Sequence, residues 1–154
     1  MIQFKRISYK NFLSTGNVPI EVDLRKSQLT LVIGANGSGK STLLDALCFA
    51  LFNRPFRIIK KDQMVNTINN GGCEVELEFN VGPKEYKVIR GVKPNIFEIH
   101  CDGQLMSQDA SAIDYQKYLE NNIMRCNYRS FCQVVLLGSS YYMPFMKMRA
   151  SFRI

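Results

Sequence analysis

Val18, Ile20, Val22 and Leu24 alternate with Asn17, Pro19, Glu21 and Asp23, the period-two pattern of a half-buried strand. A looser version opens the chain, with Ile2, Phe4, Ile7 and Tyr9 as its apolar positions, and the turn-rich residues 11–16 join the two. Residues 29–33 are almost continuously apolar, which predicts a strand buried on both faces. The period then changes. Leu43, Leu44 and every residue from Ala46 to Phe52 are apolar, with Asp45 the single charge, so residues 41–52 predict a helix buried all round. Cys73, Val75, Leu77, Phe79 and Val81 alternate strictly with Glu74, Glu76, Glu78 and Asn80, a strand with one buried and one acidic face. Gly82-Pro83 turns into a strand over 86–90, and Asp102-Gly103 predicts a hairpin joining 96–101 to 104–106. A helix over about 107–123 follows, with Ala112, Tyr115, Leu119, Asn122 and Ile123 along one side, and 134–137 predict a last strand. The pattern is α/β with an appended antiparallel β meander over about 73–106, in a single domain over 1–154.

Composition removes several classes. With 46% hydrophobic residues in 154, disordered and collagen-like readings are out. No run approaches the roughly 20 apolar residues of a membrane span. Residues 1–10 mix charge with apolar side chains and do not read as a secretory signal, so a soluble, cytoplasmic chain with no membrane partner is expected. Cys48, Cys73, Cys101, Cys126 and Cys132 stand singly, with no C-x-x-C pair and one histidine in the chain. That spacing reads as reduced thiols rather than a disulfide frame or a zinc site. The net charge of +7 suits a polyanion, whether a nucleic acid or a nucleotide.

Between the predicted strand and the buried helix lies Gly34-Ala35-Asn36-Gly37-Ser38-Gly39-Lys40-Ser41, which fits G-x-x-x-x-G-K-[ST], the phosphate-binding P-loop. Glycines let main-chain N–H groups close around phosphate oxygens, and the helix N-terminus adds partial positive charge. Lys40 is placed to reach the β- and γ-phosphates, the Ser41 hydroxyl to take one position on Mg²⁺, and Thr42 to add a hydroxyl at the α-phosphate. Gly34, Asn36, Gly37, Ser38, Gly39, Lys40, Ser41 and Thr42 are therefore the candidate ATP and Mg²⁺ residues.

The run from Gly34 to Ala46 also resembles the start of the SMC-like, ABC-type ATPases, and Tyr9-Lys10-Asn11-Phe12-Leu13-Ser14 resembles that family's "KNF-x-S" segment. Pro55-Phe56-Arg57, Ile59-Lys60-Lys61-Asp62, residues 90–95 and Pro144-Phe145-Met146 resemble the double-strand-break repair branch, the bacterial SbcC type and most of all its phage exonuclease-subunit version. The resemblance implies the N-terminal lobe of an ABC/SMC-type P-loop NTPase, a mixed sheet with the meander and flanking helices. It implies a C-terminal ATPase lobe and coiled coil lying outside residues 1–154, a second head as homodimer partner, double-stranded DNA, and a calcineurin-like metallophosphoesterase nuclease subunit. A phage-encoded member would act in the host cytoplasm. Hydrolysis would need the other lobe, so this chain alone would bind ATP and turn over little. Leu13 stands where many members carry Arg, and Ser139 where the Q-loop Gln belongs. Val65, Asn66 and Thr67 occupy a stretch that contacts nucleotide in relatives.

Other features leave alternatives open. Arg54, Arg57, Lys60 and Lys61, with Lys147, Arg149 and Arg153, read either as a DNA phosphate footprint or as a solvated basic surface. Glu74, Glu76 and Glu78 read as solvated surface, His100 and Cys101 as non-catalytic, and Tyr141 and Tyr142 as packed or interfacial. Met143, Met146 and Met148 read as a surface to be covered. Two other functions fit a P-loop: a small kinase or phosphotransferase, and a non-hydrolysing module that binds DNA or a partner.

Overall fold

A computed structural model describes residues 1–27, 31–107 and 111–136. Its frame is a six-stranded sheet in the order β2-β1-β3-β4-β5-β6. The strands are β1 (Ile2–Lys10), β2 (Ile20–Asp23), β3 (Cys73–Val81), β4 (Lys84–Val92), β5 (Ile96–Cys101) and β6 (Gln104–Leu105). Every pairing is antiparallel. The register aligns Ile7, Leu77, Val88 and Ile99 in one row across four strands, all fully buried. This row is the floor on which helix α1 (Lys40–Phe52) lies.

Alternation sends the intervening residues to the opposite face, where they form a lattice of ion pairs. Arg6 meets Glu76 at 2.8 Å, Glu78 at 2.9 Å and Glu21 at 3.2 Å. Lys87 joins Glu76 at 3.0 Å and Lys10 joins Glu74 at 3.3 Å. The acidic face of β3 is thus compensated by cross-strand cations, each pair on the order of 0.2–1 kcal/mol. His100 belongs to the same face and contacts Glu98 at 3.1 Å.

Helix α2 (Ala112–Tyr118) runs into a π-helical turn, Leu119–Met124, and α3 (Tyr128–Val134) follows. Tyr115, Leu119 and Ile123 are buried as the 3.6-residue pattern requires, while Ala112 and Asn122 face out. The helix begins at Ser111, whose side chain accepts from the Asp114 amide, rather than at about residue 107.

Two strand expectations are corrected. Leu31 to Ile33 pair with no strand among the described residues, and Leu31 and Ile33 are 81% and 82% exposed. Apolarity suits a strand to a sheet interior, but a parallel neighbour must exist to receive it. The sheet among the described residues is accordingly antiparallel rather than mixed. Val134 closes α3 instead of opening a strand, because Asn127 caps that helix by accepting from the Ser130 amide at 2.9 Å, and Phe131 and Cys132 turn inward. Ser139, Leu137, Tyr141, Tyr142, Met143, Met146, Met148, Lys147, Arg149 and Arg153 lie outside the described residues.

Candidate phosphate-binding site

A helix leaves its first N–H groups without intrahelical partners. At α1 those groups meet a loop shaped to leave them open. Gly37 and Gly39 adopt φ of 84° and 91°, and Gly39 is the left-handed residue on which the helix starts. A Cβ there would be strained by about 1–2 kcal/mol. Of the amides from Asn36 to Thr42, those of Ser38 (to Ala35 O, 3.2 Å) and Thr42 (to Gly39 O, 3.0 Å) are committed to protein carbonyls among the described residues. The rest have no protein acceptor among the described residues. The Lys40 ammonium folds back over the loop, donating to the carbonyls of Gly34 and, at 2.8 Å, Ala35.

These groups wall a cavity of about 400 Å³ that Leu13, Ser14, Arg57 and Ile59 close on the far side. Asn36, Gly37, Gly39, Lys40, Ser41 and Thr42 all line it. Gly34 and Ser38 belong to the same loop turn, where a Cβ built on Gly34 would meet the Ser38 hydroxyl. Ser41 is exposed to the cavity, whereas Thr42 is buried at its root.

The wall opposite the loop is built by a polar buckle. Leu13 takes φ 55°, its amide donates to Met64 O at 2.6 Å, and the Asn66 amide donates to Asn11 O at 2.8 Å. The Asn66 side chain donates to Thr15 O at 3.0 Å, and Asn69 donates to Asn11 Oδ1 at 2.7 Å. Val65 is buried behind this buckle, Asn66 is one of its struts, and Thr67 is exposed. None of the three lines the cavity; they hold Leu13 and Ser14 against it.

Arg57 is the residue the sequence placed elsewhere. Asp45 is fully buried on α1, and Arg57 satisfies it three times: amide to Oδ1 at 2.8 Å, Nε to Oδ2 at 2.7 Å, and an Nη2 ion pair at 2.6 Å. This fixes the half-exposed guanidinium at the cavity wall. Arg54 instead stacks over the Tyr128 ring at 4.2 Å, and Lys61 donates to Asn95 at 3.3 Å. All four cations are exposed, Arg54 and Arg57 with these partners and Lys60 and Lys61 in the short turn that follows. The lone Asp45 of an apolar helix was the available signal for a dedicated cation.

The antiparallel sheet, the glycine loop and the buried helix beginning at Lys40 have the P-loop fold of SMC head domains. The fold matches a chain from a structural study of ATP-driven dimerization and DNA stimulated activation of SMC ATPases, with a TM-score of 0.66 at 20% identity over 98% of this chain and 95% of that one. The chain belongs to the AAA domain family, whose profile matches residues 6–136. Among curated relatives it is 45% identical over 144 residues to exonuclease subunit 2 of Escherichia phage RB69, covering 94% of this chain and 25% of that protein. It is 32% identical over 134 residues to the DNA double-strand break repair Rad50 ATPase of Thermoplasma volcanium, covering 80% of this chain and 14% of that protein. The chain thus spans about a quarter of the length of its phage relative.

Proposed function

We propose that this chain is the ATP- and Mg²⁺-binding lobe of a DNA double-strand-break repair ATPase. The observation that carries the reading is the ring of uncommitted amides at the start of α1, with the Lys40 ammonium beside it. A triphosphate would lie along the 36–42 amides, replacing the Gly34 and Ala35 carbonyls as acceptor for Lys40. Ser41, an exposed residue lining the cavity, would hold Mg²⁺, which would neutralise phosphate charge when bound. Thr42 and Arg57 would support the inner and outer ends of the phosphate chain.

Turnover needs more than the cavity supplies. Among the described residues no carboxylate lines it, and Asp45 is locked by Arg57. A water-activating group would come from the remainder of a longer protein, as the share of its relatives that this chain covers suggests. The relatives' names, an exonuclease subunit and a DNA double-strand break repair ATPase, support a place in DNA repair. The partners that go with this reading are a C-terminal lobe, a second head, a calcineurin-like nuclease subunit and double-stranded DNA. Lys60 and Lys61 are the exposed candidates for phosphate-backbone contact, which would weaken steeply with salt.

A thermal-unfolding titration tests the core of this reading. ATP with Mg²⁺ at a hundredfold over Kd should stabilise the chain by about 2.7 kcal/mol. Lys40→Ala should remove most of that gain while leaving the unliganded midpoint unchanged. A folded wild-type chain that gains nothing from ATP and Mg²⁺ overturns the proposal.

A further inference from the structure

The chain contains two Asn-Gly pairs, Asn36-Gly37 and Asn70-Gly71, each with its asparagine exposed. In such a pair the side-chain amide is open to its own backbone, because glycine puts no Cβ in the path of the next nitrogen. The fold treats the two pairs differently. Asn70 is held at both ends: its amide donates to Asn66 O at 2.8 Å, and its Oδ1 accepts from Lys93 Nζ at 3.1 Å. The turn that follows is held as well, with the Gly72 amide donating to Lys93 O at 2.6 Å. Asn36 carries none of these restraints. Its side chain makes no hydrogen bond among the described residues, and the Gly37 amide has no protein acceptor there. One bond closes the turn around the pair, from the Ser38 amide to Ala35 O at 3.2 Å, and a Cβ built on Gly37 would meet nothing within 4 Å.

We propose that Asn36-Gly37 is a self-modification site, at which the Gly37 backbone nitrogen converts the Asn36 side chain to a carboxylate through a cyclic imide. Water is the one co-reactant. Solvent base takes the Gly37 N–H proton, and the nitrogen bonds to Asn36 Cγ. The Cγ–Nδ2 bond breaks and the amide nitrogen leaves as ammonia, closing a five-membered succinimide ring. Water then opens the ring in one of two ways. Cleavage between Cγ and the ring nitrogen leaves an ordinary chain with aspartate at position 36. Cleavage between the Asn36 main-chain carbonyl carbon and that nitrogen routes the chain through Cγ, as isoaspartate. In sum one amide and one water become one carboxylate and one ammonium, and nothing is oxidised.

The place of the pair gives the reaction its consequence. Asn36 and Gly37 line the cavity of about 400 Å³ together with Lys40 and Ser41. Either product sets a negative charge among the uncommitted amides of the loop, and isoaspartate adds a backbone carbon as well. Protection rests on the triphosphate reading above: a phosphate oxygen that accepts from the Gly37 amide occupies the attacking nitrogen. A loaded lobe is then spared and an empty one ages.

Peptide mapping by mass spectrometry, after incubation of the folded chain in mildly alkaline buffer, tests the site, with isoaspartate methyltransferase labelling to mark the rearranged product. Asn36 should convert about tenfold faster than Asn70 in the folded chain, and within about twofold of it in urea, where neither pair is restrained. Asn70 reacting first or equally fast in the folded chain overturns the proposal. So does an Asn36 that stays intact in the folded chain while both pairs react in urea. ATP with Mg²⁺ should slow Asn36 at least about tenfold and leave Asn70 unchanged. Asn36→Asp, which sets the product charge directly, should weaken ATP about tenfold in the thermal titration; the wild-type map decides should that variant not fold. The two readings fail separately. Selective conversion of Asn36 in a chain whose melting ignores ATP upholds the modification site and rejects the nucleotide, whereas a chain stabilised by ATP that loses Asn36 no faster than Asn70 does the reverse.

Discussion

The two ends of α1 solve the same problem in opposite ways. Every helix leaves carbonyls unpaired at its C-terminus and amides unpaired at its N-terminus. At the C-terminus the carbonyls of Phe49, Ala50 and Leu51 are provided for. Asn53, at φ 57°, donates its amide to Phe49 O at 2.9 Å. Arg90 donates Nε to Ala50 O at 2.9 Å, and Gln116 donates to Leu51 O at 2.9 Å. Arg90 and Gln116 are joined at 2.7 Å, and the guanidinium sits 3.7 Å over the Phe97 ring. Burial draws Arg90 down to about 9, still protonated at neutral pH. At the N-terminus the Thr42 amide is taken by Gly39 O at 3.0 Å, while those of Lys40 and Ser41 have no acceptor among the described residues. A buried end left unpaired would be a folding fault; an end left open beside a lysine is a site. The contrast separates residues that hold α1 in place from residues that use it.

Breaking the sealed end should cost the most. Arg90→Ala strands the Ala50 carbonyl and the Gln116 amide oxygen and leaves a void beside Phe97, a loss of about 3–4 kcal/mol in urea unfolding. Its ATP affinity, measured on the folded fraction, should stay within about twofold. Asp45→Asn removes the charge that fixes Arg57, and chemical denaturation should register about 2 kcal/mol, with a weaker response to ATP because the cavity wall loosens. Gly39→Ala acts at the open end. It should destabilise by about 1 kcal/mol yet lower ATP affinity about tenfold by turning amides away from the phosphates. That inversion of cost and consequence is the sharpest test of the comparison.

The smallest effect lies on the far face of the sheet. Hydrogen bonding to Arg6 holds the Glu78 carboxyl below its usual range. Its folded-state value is depressed, so its contribution is present above the ordinary carboxylate value of 4.5 and fades as pH falls through the lower folded value. Arg6→Met should lower the neutral and alkaline plateau of the stability–pH curve and flatten its acid limb, the two proteins converging at low pH, as circular dichroism melts across pH would record.

Local rules carried the elements that close on themselves. The strict alternation of Cys73 to Val81 became β3 with the same bounds, and Asp102-Gly103, both at positive φ, became the predicted hairpin. The glycine loop and the helix after it were legible because positive-φ glycines and an all-round apolar run are local signals. What could not be read depends on partners. The apolar run ending at Ile33 needed neighbouring strands that only the tertiary arrangement reveals. Alternation with Tyr86 and Val88 puts Arg90 on the inward face, but its role depends on the register that sets it in the core row with Tyr9, Val75 and Phe97. Arg57 and the Asn11–Asn66 buckle are long-range pairings between segments with no periodic signal.

The folded-back posture of Lys40 has a kinetic consequence. With its ammonium already shared between two loop carbonyls, the loop offers an approaching anion a muted field instead of a bare cation. Capture then depends on a swap of acceptors at close range, and its rate should respond only weakly to ionic strength. A ligand with several linked phosphates can grip the amides first and claim the lysine afterwards, an order that a lone phosphate is too short to follow.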